Sequence, residues 1–179
     1  VFGRRRRKPP ANVRPALERN ERVLAWARSI DDPAVAVVVT TLGLWLPGTA
    51  GRLGWHQVHK ATWAGSRLTV VPSRPVGAGV GDEGSDYTVM ADDAAVTVNL
   101  ADPGDLPAVV RQRVTRSVAY TAHHPLPAGG VRVVARRIAG QDGVTWHVRY
   151  DDGTDPEDPA VVAVTAELVG EAAAPMRPE

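Results

Sequence analysis

Two segments near the end of the chain constrain the fold most: Val131–Ile138 and Val144–Tyr150, joined by Ala139-Gly140-Gln141-Asp142-Gly143. Both alternate apolar and polar residues with a period of two, the period of a β-strand with one buried face. An antiparallel pairing places Val131, Val133 and Ala135 with Val144, Trp146, Val148 and Tyr150 on one apolar surface. The opposite surface then carries Arg132, Arg136, Thr145, His147 and Arg149. A chain committed to this hairpin must cover its apolar side. The next segment offers the cover: a helix from Pro159 to Glu171, capped by Asp158, with Val161, Val162, Thr165, Leu168 and Val169 on its buried face.

The earlier chain reads as more short strands. Ala16–Asn20 fits a helical turn, and a strand follows from Arg22 to Ser29. Asp31-Asp32-Pro33 is a turn. Ala34–Thr40 is dense in valine and reads as a strand buried on both faces. Gly43 permits a reversal into Leu44-Trp45-Leu46. In Arg52–Trp63 the apolar parity shifts between Trp55 and Val58, so a bulge or bend is expected near His56-Gln57. Ala64-Gly65-Ser66 turns into Arg67–Val71. The glycines and prolines of Pro72–Asp86 predict a long mobile loop. Tyr87–Ala91 and Ala95–Leu100 are expected to form a second hairpin around Asp92-Asp93. Asp102-Pro103 and Asp105-Leu106-Pro107 are helix-entry signals for a helix ending near Val114, with a strand starting near Arg116.

These elements predict an α+β fold, mainly antiparallel β: a partly open barrel or sandwich with one short internal helix and a C-terminal amphipathic helix. Residues 16–172 form a single β-rich domain. A basic arm, 1–15, precedes it, and 173–179 is a frayed tail. Trp26, Trp55, Trp63 and Trp146 are expected at least partly in the core, with Trp45 the exception.

Charge divides the chain unevenly. It holds 21 bases and 20 acids, yet the first fourteen residues carry six bases (Arg4, Arg5, Arg6, Arg7, Lys8, Arg14) and no acid. The body is therefore acidic. Only Lys8 and Lys60 are lysines, which fits a GC-rich coding bias. Val1 fits a translated GTG start codon, a truncated chain or a processed one; we read it as the start codon. No apolar segment follows the basic run as a secretory signal requires. No run reaches the length of a transmembrane segment. A cytoplasmic location follows, with a peripheral position at a membrane through the arm as its variant.

Cysteine is absent, which removes disulfides, thiolate metal sites and a cysteine nucleophile. His56 and His59, three apart, would share a helix face, but on the expected strand they diverge and no third ligand is near. His123-His124 before Pro125 reads as a strand end. The acidic group at Asp151–Asp158 lacks calcium-loop spacing and suits a helix N-terminus. Gly77-Ala78-Gly79-Val80-Gly81 lacks the ending of a phosphate loop. No nucleophile elbow is present. No metal, cofactor or catalytic residue is assigned.

Two basic groups remain as anion-binding candidates. One is the arm, Arg4, Arg5, Arg6, Arg7 and Lys8, which suits the phosphates of lipid or nucleic acid. The other is the hairpin face Arg132, Arg136, His147 and Arg149, for which a solvated surface is the default. The leading expectation is a non-enzymatic binding or scaffold module for a protein or an anionic surface. One alternative is an enzyme with a site near the 72–86 loop, using His56, His59 or His147. Another is an RNA- or ribosome-associated accessory protein, which rests on the arm alone.

Thr40-Thr41-Leu42-Gly43-Leu44-Trp45-Leu46, then Leu53-Gly54-Trp55-His56-Gln57-Val58-His59-Lys60-Ala61-Thr62-Trp63, resembles bacterial PH-like domains. The shared pattern is a strand, a tight turn, and a Trp opening a strand of the form W-x-x-V/I. It covers about the first hundred residues. Leu106–Val114 and the Val131–Tyr150 hairpin with its helix make the whole chain similar to a family of actinobacterial proteins. The helix at Leu106 and the Gly/Pro segment after Val71 depart from the PH-like pattern. The resemblance implies a partly open β-barrel or sandwich closed by a C-terminal helix, often a binding module, and no catalytic residue.

Overall fold

The structure is a computed structural model that describes residues 8–176 of the 179-residue chain. Arg4–Arg7 of the basic arm lie outside the described residues; Lys8 is exposed. The fold is α+β and mainly antiparallel β, with a C-terminal helix. Its elements are β1 (Val23–Ser29), β2 (Ala36–Thr40), β3 (Gly43–Trp45), β4 (Arg52–Gly54), β5 (Val58–Ala64), β6 (Arg67–Val80), β7 (Asp86–Asp92), β8 (Val96–Ala101), α1 (Leu106–Ser117), β9 (Val118–Pro125), β10 (Gly130–Arg136), β11 (Thr145–Tyr150) and α2 (Pro159–Ala173). They gather into two compact units. The first holds the chain up to Pro72 together with Asp92–Ser117; the second holds Ser73–Ala91 together with the chain from Val118 onward.

In the first unit the strand order is β4-β3-β2-β1-β8-β6, and β5 pairs with β6. Valines 37, 38 and 39 of β2 are essentially fully buried, so both faces of this strand are covered as the valine run predicts. Leu44, Leu68, Val70, Leu100, Leu106 and Val110 complete the interior. α1 packs on β1, β2 and β5. Its fully buried Leu106 and Val110 are one turn apart, the spacing of a helix with one buried stripe.

The charged centre of this unit is Glu21, whose side chain is fully buried. Its carboxylate accepts from Thr40 Oγ1 at 2.6 Å, Trp45 Nε1 at 3.0 Å, the Glu18 amide at 3.1 Å and Arg52 at 2.8 Å. Arg52 also pairs with Glu18 at 2.7 Å. Burial pushes the Glu21 carboxyl up, but the hydrogen bonds and the Arg52 guanidinium together outweigh it and hold the group below its ordinary value. This centre ties the chain just before β1 to β2, β3 and β4. It also gives Trp45, the expected outlier, a fixed polar partner.

In the second unit the order is β6-β7-β11-β10-β9. The β10–β11 register pairs Val131 with Tyr150, Val133 with Val148 and Ala135 with Trp146, as the alternation requires. β7 joins β11 in parallel. Tyr87, Val131, Val133, Ala135, Trp146 and Val148 form a core with Val169, Ala172 and Ala173 of α2. Tyr150 donates to Thr165 Oγ1 at 3.0 Å, a polar tie between sheet and helix. Burial raises the Tyr87 hydroxyl above its ordinary value, and Tyr150 beside it adds to the shift. Asp158 caps α2 by accepting from the Ala160 amide at 2.8 Å.

Several expectations change. No helix forms at Ala16–Asn20; a 3₁₀ turn forms earlier, at Ala11–Val13 inside the expected arm. The parity shift before Val58 is a 3₁₀ turn over Trp55–Gln57 that separates two strands. Pro72–Asp86 is no mobile loop: β6 continues to Val80, followed by a 3₁₀ turn over Asp82–Gly84. Gly77 and Gly79 have a packing reason, since a Cβ on Gly79 would collide with the Tyr87 ring and one on Gly77 would touch Val89. β7 and β8 are not a hairpin, because β6 lies between them. The buried stripe of α2 sits further along than expected. Thr165, Val169, Ala172 and Ala173 are buried, whereas Val162 is exposed. Beyond Ala173 the expected frayed tail continues as a 3₁₀ turn to Met176.

Pro159–Met176 is, among the described residues, the one helical stretch long and apolar enough to cross a membrane by length and composition. It contains Glu167 and Glu171, and it contributes Val169, Ala172 and Ala173 to the core.

Candidate functional site

In the first unit, side chains that bear chemistry line a groove along β5 and α1. The local chain explains the placement. Gln57 Oε1 accepts the Gly54 amide at 2.9 Å and closes the 3₁₀ turn, so that the chain enters β5 at a fixed angle. Trp55 anchors that turn: it is 2% exposed and its indole donates to the Thr40 carbonyl at 3.2 Å. Ser117 at the end of α1 hydrogen-bonds the Trp55 carbonyl at 3.3 Å and the Val114 carbonyl at 2.7 Å. The helix end and the strand start are thereby tied to one turn.

Between them runs a groove of about 470 Å³, inside the usual range for ligand sites. β5 lines it with His59, Lys60, Ala61, Thr62 and Trp63. α1 supplies Val110, Arg111, Val114 and Thr115. The mix is an apolar floor with a half-buried indole, two hydroxyls and basic groups on both walls. His59 Nδ1 stands 3.9 Å from Asp92 Oδ1. β5 pairs only with β6 among the described strands, so its second edge meets no other strand.

In the second unit, the register confirms that Arg132, Arg136, His147 and Arg149 share one sheet face: Arg132 lies opposite Arg149, Val134 opposite His147, and Arg136 opposite Thr145. The face is less solvated than its default reading. Arg132 is exposed, but Arg136 is 9% exposed and Val134 7%. Burial lowers the Arg136 guanidinium from its ordinary value, and the positive Arg149 nearby lowers it further. Arg149 donates to Ser73 Oγ at 3.2 Å.

The sequence also concealed a pair on this unit's surface. His123 Nε2 lies 2.7 Å from Asp151 Oδ2, with both side chains more than a third exposed. Gly130 makes the pair possible, because a Cβ there would come within 2.5 Å of the carboxylate and 2.7 Å of the imidazole. No sequence spacing proposes it: the partners are 28 residues apart and meet only through β10.

The three histidines proposed for acid–base work do not form one constellation. His56 sits in the 3₁₀ turn and His59 on β5 in the first unit, while His147 is on β11 in the second. Only His59 lines the groove. No group of three His, Asp or Glu side chains able to hold a metal occurs among the described residues. No family model, curated protein or solved structure matches the chain.

Proposed function

We propose that the chain is a binding module and that its first unit holds an extended, acidic peptide in the β5–α1 groove. The observation that carries this reading is the conjunction of an open strand edge with a groove of ligand size beside it. An extended segment laid against β5 satisfies the main-chain groups of that edge, which is how sheet edges take up peptides. Specificity then comes from alternate side chains. Trp63, Val110 and Val114 offer an apolar seat, while Lys60 and Arg111 favour carboxylates on the occupant.

The PH-like reading of this unit has support of the same kind. Seven strands precede α1 once β7, which belongs to the second unit, is set aside. α1 then packs back on three of them. A helix closing a strand array is what the resemblance implies, although α1 takes the role rather than the last helix. The arm reading, in which Arg4–Lys8 meet an anionic surface, rests on the sequence.

The test is a titration of the full chain with a pool of eight-residue peptides rich in Glu and Asp, followed by amide NMR. Shifts should concentrate in Val58–Ala64 and in the α1 turn around Arg111. Lys60→Glu with Arg111→Glu should weaken binding at least tenfold and leave the fold intact. Shifts that avoid both elements, or affinity indifferent to the double reversal, would remove the proposal. Adding anionic vesicles to the chain with and without residues 1–14, across salt, tests the arm separately.

A further inference from the structure

The second unit has an open edge of its own. The half of β6 that belongs to it, from Ser73 to Val80, has β7 on one side and no described strand on the other. The Gly81 amide donates to the Ser85 carbonyl at 2.8 Å where the chain turns toward β7. Main-chain groups alternate in direction along a strand, so Gly77 and Gly79 point the same way, toward β7. Val76, Ala78 and Val80 point theirs out of the sheet edge. The side chains on this stretch are open to solvent: Val76 is 51% and Val80 65% exposed, and Ala78 is exposed between them.

Natural edges of this kind carry a charge, a proline or a bulge that blocks pairing. None lies between Val76 and Val80. Instead Val76-Gly77-Ala78-Gly79-Val80 reads the same in both directions. Two-fold antiparallel pairing sets residue i of one copy against residue j of the other, and this sequence sets valine against valine and glycine against glycine. With the axis at Ala78, Val76 lies across from Val80, Gly77 from Gly79, and each Arg74 reaches the Asp82 end of the other copy. Opposite charges then flank an apolar centre. We infer that this edge pairs with the same edge of a second copy of the chain, forming a continuous sheet across a two-fold axis. The contact is short, so the dimer is weak and depends on concentration.

Sedimentation of the full chain from micromolar to millimolar concentration reads this out. The average mass should rise from 19.1 kDa toward twice that value. Ala78→Pro, which deletes an outward N–H, and Val76→Lys, which sets a charge at each end of the pairing, should both remain monomeric with unchanged circular dichroism. The chain has no cysteine, so Ala78→Cys introduces a single thiol placed on the axis. A short thiol-to-thiol cross-linker should join it efficiently, and should join Asp142→Cys poorly. A monomer at every concentration, a dimer that survives Ala78→Pro, or equal cross-linking at both positions would overturn the inference.

Discussion

Glu21 shows how much a single residue can organise without any local signature. Its partners Thr40, Trp45 and Arg52 are 19, 24 and 31 residues away. In sequence it is one acid among twenty, next to a segment that fits a helix as well as a strand. Only the meeting of three strands with the chain before β1 gives it meaning. Its carboxyl is held below its ordinary value of 4.5, and the sign of the consequence follows. On acidification the unfolded chain takes up this proton first. The stabilisation is therefore complete above the ordinary value and disappears as pH falls through the lower folded value. Urea midpoints of the wild type should drop as pH falls below the ordinary carboxyl value of 4.5. Glu21→Gln should be less stable at neutral pH and should lose less on acidification. Glu21→Ala, which strands Arg52 and the Thr40 and Trp45 donors, should cost about 3 kcal/mol. An acid slope unchanged by Glu21→Gln would contradict this account.

At the scale of elements, legibility tracked how local the determining contacts are. The pairing of β10 with β11 was readable because its partners are close in sequence and Val131, Val133 and Ala135 alternate against Trp146, Val148 and Tyr150, although the strand ends differ by up to two residues and Val134 interrupts the pattern. The capped start of α2 was readable for the same reason. Asp158→Ala should therefore cost about 1 kcal/mol by thermal melting, while Asp158→Asn should cost much less. The second half of β6 was unreadable: glycine and proline usually mark turns, and here the glycines make room for Tyr87 and Val89 on a strand that comes later. Gly79→Ala should drive Tyr87 out of its place and destabilise by about 1–3 kcal/mol. Tyr87→Ala in the same chain removes the obstruction, so the two changes together should cost less than the sum of the separate ones. The false β7–β8 hairpin has a related cause. Adjacent strands in sequence usually pair, but β6 is long enough to hold β8 with its first half and β7 with its second. The groove escaped notice because one wall is strand and the other is helix, and no periodicity joins residue 60 to residue 111.

For the whole molecule, the decisive fact is that the chain leaves the first unit at Pro72, returns at Asp92 and leaves again after Ser117. A sequence reading sees one β-rich run, because none of the three crossings is marked by a linker: the first lies inside β6, the second at the end of β7, and the third at the direct passage from α1 to β9. The two interiors are nonetheless separate in composition. Val37–Val39, Leu44, Leu100 and Leu106 belong to one, and Val131, Val133, Trp146, Val148 and Val169 to the other. Removing residues 159–179 takes Val169, Ala172 and Ala173 from the second core, while the fully buried residues of the first stay covered by α1. Amide exchange should therefore accelerate strongly across β7, β10 and β11 in the truncated chain, and the β2 amides of Val37–Val39 should keep most of their protection. Uniform loss of protection in both sets would mean that the two cores melt as one cooperative body. Full retention around Trp146 would mean that α2 does not seal the second core.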